Sequence, residues 1–138
     1  MNSISKTCLA ACVFGSGVAW GHHSFAMFDN NRSVTLVGTV KELQLVNPHS
    51  WLQVLVKGSD GKPVEWSIEA GGPSELYRAG LRKSLVKPGD SVTVVMHPLR
   101  DGRAGGSLVS VVLADGTRVA MRGAGGAPGT TPAAGAPR

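Results

Sequence analysis

A chain of 138 residues accommodates a single domain, and its formal net charge of +5 is spread along the sequence without a continuous basic stripe. This pattern argues against nucleic acid as the partner, and solubility is the simpler role for the charge. Both cysteines, Cys8 and Cys12, lie near the amino terminus, and no serine stands in a nucleophile-elbow motif. Nucleophilic catalysis is therefore not indicated.

The first 21 residues have the pattern of a secretory signal peptide. Lys6 is their only charged side chain, and an uncharged, largely apolar run follows over residues 7–20. That run is shorter than the roughly 20 apolar residues of a membrane-spanning helix. Small residues precede His22, which predicts cleavage between Gly21 and His22 and a periplasmic or secreted protein. The processed protein is not expected to span a membrane.

The two ends of the chain lie outside the predicted domain, which covers residues 22–122. The stretch from Leu9 to Cys12 also resembles a lipoprotein cleavage box, although it would leave almost no apolar region before the cut. Residues 123–138 are mainly glycine, alanine and proline and contain no large apolar side chain. Such a composition predicts a disordered tail, because it cannot bury enough apolar surface to offset the entropy of ordering.

The domain itself begins with an N-terminal arm that Phe25, Met27 and Phe28 should pin, followed by a turn at residues 29–31. Strands and one helix come next. In chain order we predict strands over 33–46, 51–56 and 63–70, a helix over 73–79, and strands over 92–96, 108–113 and 117–121.

Glycine and proline set the boundaries of these elements. Gly38 interrupts the long first strand and predicts a bulge or a sharp bend there. Pro73 suits the first turn of the helix and Gly80 its end. The predicted order is three strands, a short helix, two strands and a possible sixth strand. This order is typical of a small five- or six-stranded barrel of the oligonucleotide/oligosaccharide-binding (OB) type. An open sandwich is the alternative.

Several short motifs occur in order along the domain. They are His22-His23-Ser24-Phe25, Gly38-Thr39-Val40, Asn47-Pro48-His49-Ser50-Trp51, Glu65-Trp66, Gly72-Pro73-Ser74, Lys87-Pro88-Gly89-Asp90, His97-Pro98 and Gly106-Ser107-Leu108. Together they resemble the secreted Gram-negative bacterial proteins grouped as domain of unknown function 6152, over His22 to about Gly116. The resemblance implies a periplasmic β-barrel domain, but no activity and no catalytic residue.

The four histidines are candidate metal ligands. If cleavage precedes His22, its imidazole and the new α-amine can chelate one ion, with His23 or His49 supplying a third nitrogen. Copper(II) suits such a nitrogen-rich site best, then zinc, and His97 or Met96 is a candidate for the reduced ion. The arrangement resembles a histidine brace. The alternative is that His22 and His23 lie in a flexible arm while His49 and His97 hydrogen-bond strand ends.

A second candidate site lies in the loops. Asn47, His49 and Trp51 can stack on and hydrogen-bond a sugar or peptide, and Arg100 lies near the barrel mouth, where it can hold an anion. The competing interpretation is a turn followed by a core tryptophan, which we favour for Trp51 and Trp66, with a charged hairpin tip around Arg100.

Glu65 and Glu69 share one face of their predicted strand, where we expect a solvated surface and no acid/base pair. The sequence thus predicts an exported, non-enzymatic binding or accessory module with a periplasmic protein or an envelope glycan as its partner. A copper-binding or copper-delivery protein that uses His22, His23 and His49 is the alternative.

Overall fold

The computed structural model describes residues 25–121. The predicted signal peptide, His22, His23 and the predicted disordered tail over 123–138 lie outside this range. The elements are a 3₁₀ turn (Phe25–Met27), β1 (Val34–Gln44), β2 (Ser50–Lys57), β3 (Pro63–Ala70), α1 (Pro73–Ala79), β4 (Ser91–Pro98), β5 (Gly105–Val112) and β6 (Arg118–Ala120). Among residues 25–121, no helix has the length and apolar character needed to cross a membrane.

The strands form a closed five-stranded barrel with one added strand. β1 pairs antiparallel with β2 and β4, β2 with β3, and β4 with β5. A short parallel pairing of β3 with β5 closes the barrel, and β6 extends the sheet beside β5. Mainly β structure, an OB-like barrel and one short helix between the third and fourth strands are therefore confirmed.

The long first strand changes partner in its middle. Thr39 pairs with both β2 and β4, so the first half of β1 lies against β4 and the second half against β2. The irregularity in the ladder lies between Val40 and Glu42, so the bulge predicted at Gly38 is misplaced. Gly38 is needed for another reason, because a Cβ there would lie 2.5 Å from the carbonyl oxygen of Leu55.

The helix contributes one buried side chain to the barrel core. Pro73 stands at its start, and Gly80 ends it in the left-handed conformation with φ 95°. Leu76 is fully buried and joins the cluster that fills the barrel. The core consists of Val40, Leu43, Leu52, Val54, Ile68, Ala70, Leu76, Leu81, Val86, Val92, Val94, Met96, Leu108, Val111, Leu113, Val119 and Met121.

The N-terminal arm (residues 25–32) lies along the end of β4. Phe28 is only 2% exposed and bridges to Leu99. The backbone N–H of Arg100 donates to the carbonyl of Met27 at 2.9 Å. Met27 itself is 42% exposed, so Phe28 and the backbone hydrogen bonds hold the arm, not the Met27 side chain.

Candidate functional site

One row of side chains runs across four neighbouring strands of the barrel. Trp51 pairs with Glu69, Glu69 with Ser107, and Ser107 with His97. Directly paired residues project from the same side of a sheet, and successive residues alternate. Since Leu52 lies in the core, the polar row (Trp51, Glu69, Ser107 and His97) faces out of the barrel.

Glu69, the carboxylate of the polar row, is shielded from solvent. It is only 8% exposed, although we expected it to share a solvated face with Glu65. Glu65 does meet that expectation, since it is exposed and pairs with Lys41 at 2.6 Å. Glu69 pairs instead with Nδ1 of His49, the residue immediately before β2 and two residues before Trp51. The start of β2 therefore covers the end of β3.

The hydrogen bond to Glu69 fixes the proton on the His49 ring. A carboxylate accepts, so Nδ1 of His49 carries the hydrogen, and whenever the ring is neutral its lone pair is on Nε2. Histidines that bind metals usually donate one ring N–H to a carboxylate or carbonyl in this way. His49 is partly exposed. Its Nε2 is thus prepared to accept a hydrogen bond or to bind a metal.

His97, at the other end of the row, serves the arm. Its Nδ1 lies 2.7 Å from the carbonyl oxygen of Arg32, which can only accept, and the residue is 8% exposed. Strands β3 and β5 separate it from His49. Met96 is completely buried in the core, and its role in accepting a reduced ion stays a prediction.

Within residues 25–121, no group of three or more histidine, cysteine, aspartate or glutamate residues could hold a metal ion. The other candidate ligands, His22, His23 and the new α-amine, lie outside the described range. The shared use of all four histidines stays a prediction.

A second row joins the polar row to form an outer face on β1, β2 and β3. Trp51 lies between Gln44 and Glu69, and Gln53 lies between Glu42 and Ser67. The outer face comprises these six residues: Glu42, Gln44, Trp51, Gln53, Ser67 and Glu69. The Gln53 amide nitrogen donates to the Ser67 hydroxyl at 3.1 Å, while its buried amide oxygen accepts no hydrogen bond from residues 25–121.

The two tryptophans have different positions. Trp66 packs against the core, as expected. Trp51 does not belong to the core cluster, so the expectation of a core tryptophan is wrong there. The reason is strand phase: Leu52 and Val54 take the inward positions of β2, and Trp51 is left on the outside.

Two loops border the outer face. In the β1–β2 loop (residues 45–49), Asn47 is exposed and the Asn47–Pro48 peptide bond is cis. This loop approaches the helix start, where a Cβ on Gly72 would lie 2.9 Å from the Pro48 carbonyl. Asn47 and His49 are thus placed beside Trp51 by a loop that packs against the domain.

The β4–β5 loop (residues 99–104) is held by its own contacts. The Arg100 guanidinium donates to the carbonyl of Ala26 at 3.2 Å, so it ties down the arm, yet its side chain stays 56% exposed. Arg103 bonds to Asp101 at 2.7 Å. The Arg103 backbone N–H, and then its guanidinium, hold the pKa of Asp101 below its ordinary value. The Arg100 guanidinium lies 3.9 Å from the Asp29 carboxylate, a longer separation than the 2.7 Å between Arg103 and Asp101.

The sequence matches a known family of proteins over most of its length. A family model described as a family of unknown function, DUF6152, matches residues 10–109. The chain belongs to this family. The match covers the motifs from His22 to Leu108. The description of the family gives no activity.

Known structures and curated proteins add little. One similar solved structure is the crystal structure of the ZRD-deleted mutant of TiaS in complex with agmatine, with 20% sequence identity and a TM-score of 0.45. The similar region covers 69% of this chain and only 23% of that one. A likeness of this size carries no argument about ligand or activity. No curated protein matches the chain.

The residues that sequence reasoning missed were Gln44, Gln53 and Glu69. The hairpin contained a usable signal for Glu69. Once the turn before Pro63 sets Lys57 opposite Pro63, an unbroken antiparallel register places Trp51 opposite Glu69. Gln44 has no such signal, because the bulge in β1 shifts its register with β2.

Proposed function

We propose that this protein is an exported, non-catalytic binding module whose outer face takes a glycan of the cell envelope. The observation that carries the proposal is the position of Trp51 between Gln44 and Glu69. An indole can stack on the apolar face of a sugar ring, while flanking amide and carboxylate groups hydrogen-bond its hydroxyls. OB barrels commonly use the outer side of their second and third strands for oligosaccharides and oligonucleotides.

The charge of this surface supports a glycan over a nucleic acid. Glu42, Glu65 and Glu69 project from the outer side of β1 and β3, and Lys41 is bonded to one of them, Glu65. Carboxylates repel a phosphate backbone, whose neutralisation by cations supplies much of nucleic-acid affinity. A neutral sugar meets no such penalty.

The pairing of the carboxylates supports binding without catalysis. Glu42 accepts from the Gln44 amide at 2.9 Å, Glu65 pairs with Lys41, and Glu69 pairs with His49. Groups with such partners can orient hydroxyls. Export is supported by the signal-peptide pattern of residues 1–21, and a periplasmic protein is the alternative partner for the same face.

Calorimetry with an N-acetylglucosamine tetrasaccharide and co-sedimentation with purified peptidoglycan sacculi test this proposal. We expect Trp51→Ala to weaken binding at least about tenfold, the loss of ~1.4 kcal/mol of stacking. Tyr77→Ala is the matched control, because Tyr77 is an aromatic residue that is 52% exposed on the helix, away from β2. Equal binding by both variants and the parent protein contradicts the proposal.

Copper binding is the second candidate, and one observation favours it. His49 donates Nδ1–H to Glu69, which presents Nε2 in the manner of a metal-bound histidine. The arm is fixed from Phe28 to Arg32, and His22 and His23 come a few residues before it in the sequence. Cleavage before His22 would give an α-amine and imidazoles, a donor set that suits copper(II). Copper would then be bound or delivered, with no reaction assigned.

Copper titration followed by electron paramagnetic resonance separates the two candidates. Protein with His22 at its terminus should bind about one equivalent of copper(II), and protein extended by one glycine before His22 should lose that site. His49→Asn should reduce the number of nitrogen ligands seen by resonance. Identical spectra for the extended, His49→Asn and parent proteins rule out this candidate and leave the glycan proposal intact.

A further inference from the structure

The basic residues are not evenly distributed over the folded domain. Residues 76–89 contain two arginines and two lysines but no aspartate or glutamate. The four cations are Arg78, Arg82, Lys83 and Lys87. Together with two exposed residues that offer apolar area, Tyr77 before them and Leu85 among them, they form what we name the basic strip (residues 77–87).

The strip is held to the barrel by buried aliphatic residues. Leu76, Leu81 and Val86 are at most 3% exposed and belong to the core. Between these anchors the four cationic side chains face solvent. Tyr77 is 52% exposed and Leu85 is 46% exposed. The strip therefore presents charge and apolar area together from a fixed backbone.

The cationic groups of the strip form no ion pair with the part of the chain that the structure describes. Within residues 25–121, no side-chain nitrogen of these four lies within 4.0 Å of a carboxylate, whereas those of Lys41, Lys62, Arg100 and Arg103 each do. The Asp90 carboxylate accepts from the backbone N–H of Lys87 at 2.8 Å. Arg82 lies instead over the ring of Tyr77, with 5.4 Å between the guanidinium carbon and the ring centroid. The strip thus groups four neighbouring cations whose charged ends have no ion-pair partner among residues 25–121.

We propose that the basic strip docks the protein onto a membrane surface of anionic phospholipids. Lysine and arginine are attracted to anionic headgroups, and exposed tyrosine and leucine side chains can enter the boundary between headgroups and acyl chains. A nucleic acid would match the charge but would gain nothing from Leu85. The same lipid surface repels the carboxylates of the outer face, which keeps that face available for its ligand.

Co-sedimentation with lipid vesicles tests the docking. Purified protein should bind vesicles of mixed phosphatidylglycerol and phosphatidylcholine, and should not bind phosphatidylcholine alone. Each cation lost should lower the partition coefficient about fivefold, so Lys83→Glu/Lys87→Glu should lower it at least about 25-fold. Binding should weaken further as salt rises through ~0.15 M, because the charges are exposed.

The matched control is Lys57→Glu/Lys62→Glu, which changes the net charge equally at the exposed β2–β3 turn. It should retain at least about a third of the binding. Leu85→Ser tests the apolar part against Val37→Ser, a residue 65% exposed on β1. Equal losses for the two charge variants, no binding to anionic vesicles, or binding to a single-stranded oligonucleotide in preference to vesicles would each overturn the proposal. Circular dichroism confirms that every variant is folded.

Discussion

Two adjacent rows of the barrel differ by a single residue on each strand and have opposite roles. The polar row contains Trp51, Glu69, Ser107 and His97. The apolar row, one step along every strand, contains Leu52, Ile68, Gly106 and Pro98. Both rows cross β2, β3, β5 and β4 in the same order. The pleat of the strands alone therefore separates the core from the candidate site.

The two rows are also buried by different means. Leu52 and Ile68 are completely buried by other apolar side chains of the barrel. Glu69 and His97 are each 8% exposed. The Glu69 carboxylate has His49 as its polar partner, and the His97 ring has the carbonyl of Arg32. Substitutions in the apolar row should therefore mainly lower stability. Substitutions in the polar row should lower stability less and should affect binding more.

The largest effect is expected in the apolar row. Leu52→Ala leaves a cavity in a fully buried position, and it should lower the free energy of unfolding by about 2–5 kcal/mol. Urea denaturation followed by circular dichroism measures this change. A loss below about 1 kcal/mol would show that the barrel can collapse around the missing atoms and that this row is not tightly packed.

Gly106→Ala should give the next largest loss. A Cβ at this position would overlap the carbonyl oxygen of His97 and lie 2.7 Å from the sulfur of Met96. We expect about 1–3 kcal/mol of destabilisation from overpacking. Ser107→Ala, the next residue in the polar row, is the control and should change the midpoint of urea denaturation little. Similar midpoints for both variants would contradict the assignment of the two rows.

His97→Ala removes one hydrogen bond between the polar row and the N-terminal arm. The free energy of unfolding should fall by about 1 kcal/mol, the usual net value of such a bond. Amide hydrogen exchange should rise in the arm, including the Asp29 N–H that bonds to the Pro98 carbonyl at 2.8 Å. Unchanged exchange at Asp29 would mean that Phe28 alone holds the arm.

The smallest effect is a pH dependence in the β4–β5 loop. The pKa of Asp101 is lower in the folded protein than its ordinary value of 3.8. Its ionised form is thus favoured by folding, and the contribution is present above about pH 4 and is lost as the pH falls through the folded pKa. Asp101→Asn should remove this small acid sensitivity in thermal melts. If the variant and the parent protein lose stability in parallel below that pH, Asp101 makes no contribution.

Much of the fold could be predicted because its signals are local. Gly61 adopts φ 81° in the turn of the β2–β3 hairpin, and Pro73 and Gly80 bound the helix as expected. The parallel pairing of Ser67 to Glu69 with Gly105 to Ser107 joins strands far apart in sequence. This parallel pairing could be predicted only from the expected barrel fold.

The candidate site was harder to predict because β2 is apolar on both sides. Trp51 and Leu55 alternate with Leu52, Val54 and Val56, so periodicity alone does not decide which set faces inward. The set containing Trp51 was expected to face inward, whereas the set containing Leu52 and Val54 does so.

The burial of Glu69 had a different cause. It depends on His49 folding back over the strand end, which is a tertiary contact without a local sequence signal. Metal binding by His22 and His23 stays a prediction.

Nuclear magnetic resonance tests the central claim, that the outer face binds a glycan, most directly. An N-acetylglucosamine tetrasaccharide is titrated into isotope-labelled protein. We predict saturable shifts of the Trp51 indole N–H and the side-chain amides of Gln44 and Gln53, with the basic strip unaffected. Saturable shifts confined to other surfaces, or no shifts with the tetrasaccharide and no binding to sacculi, would contradict the claim.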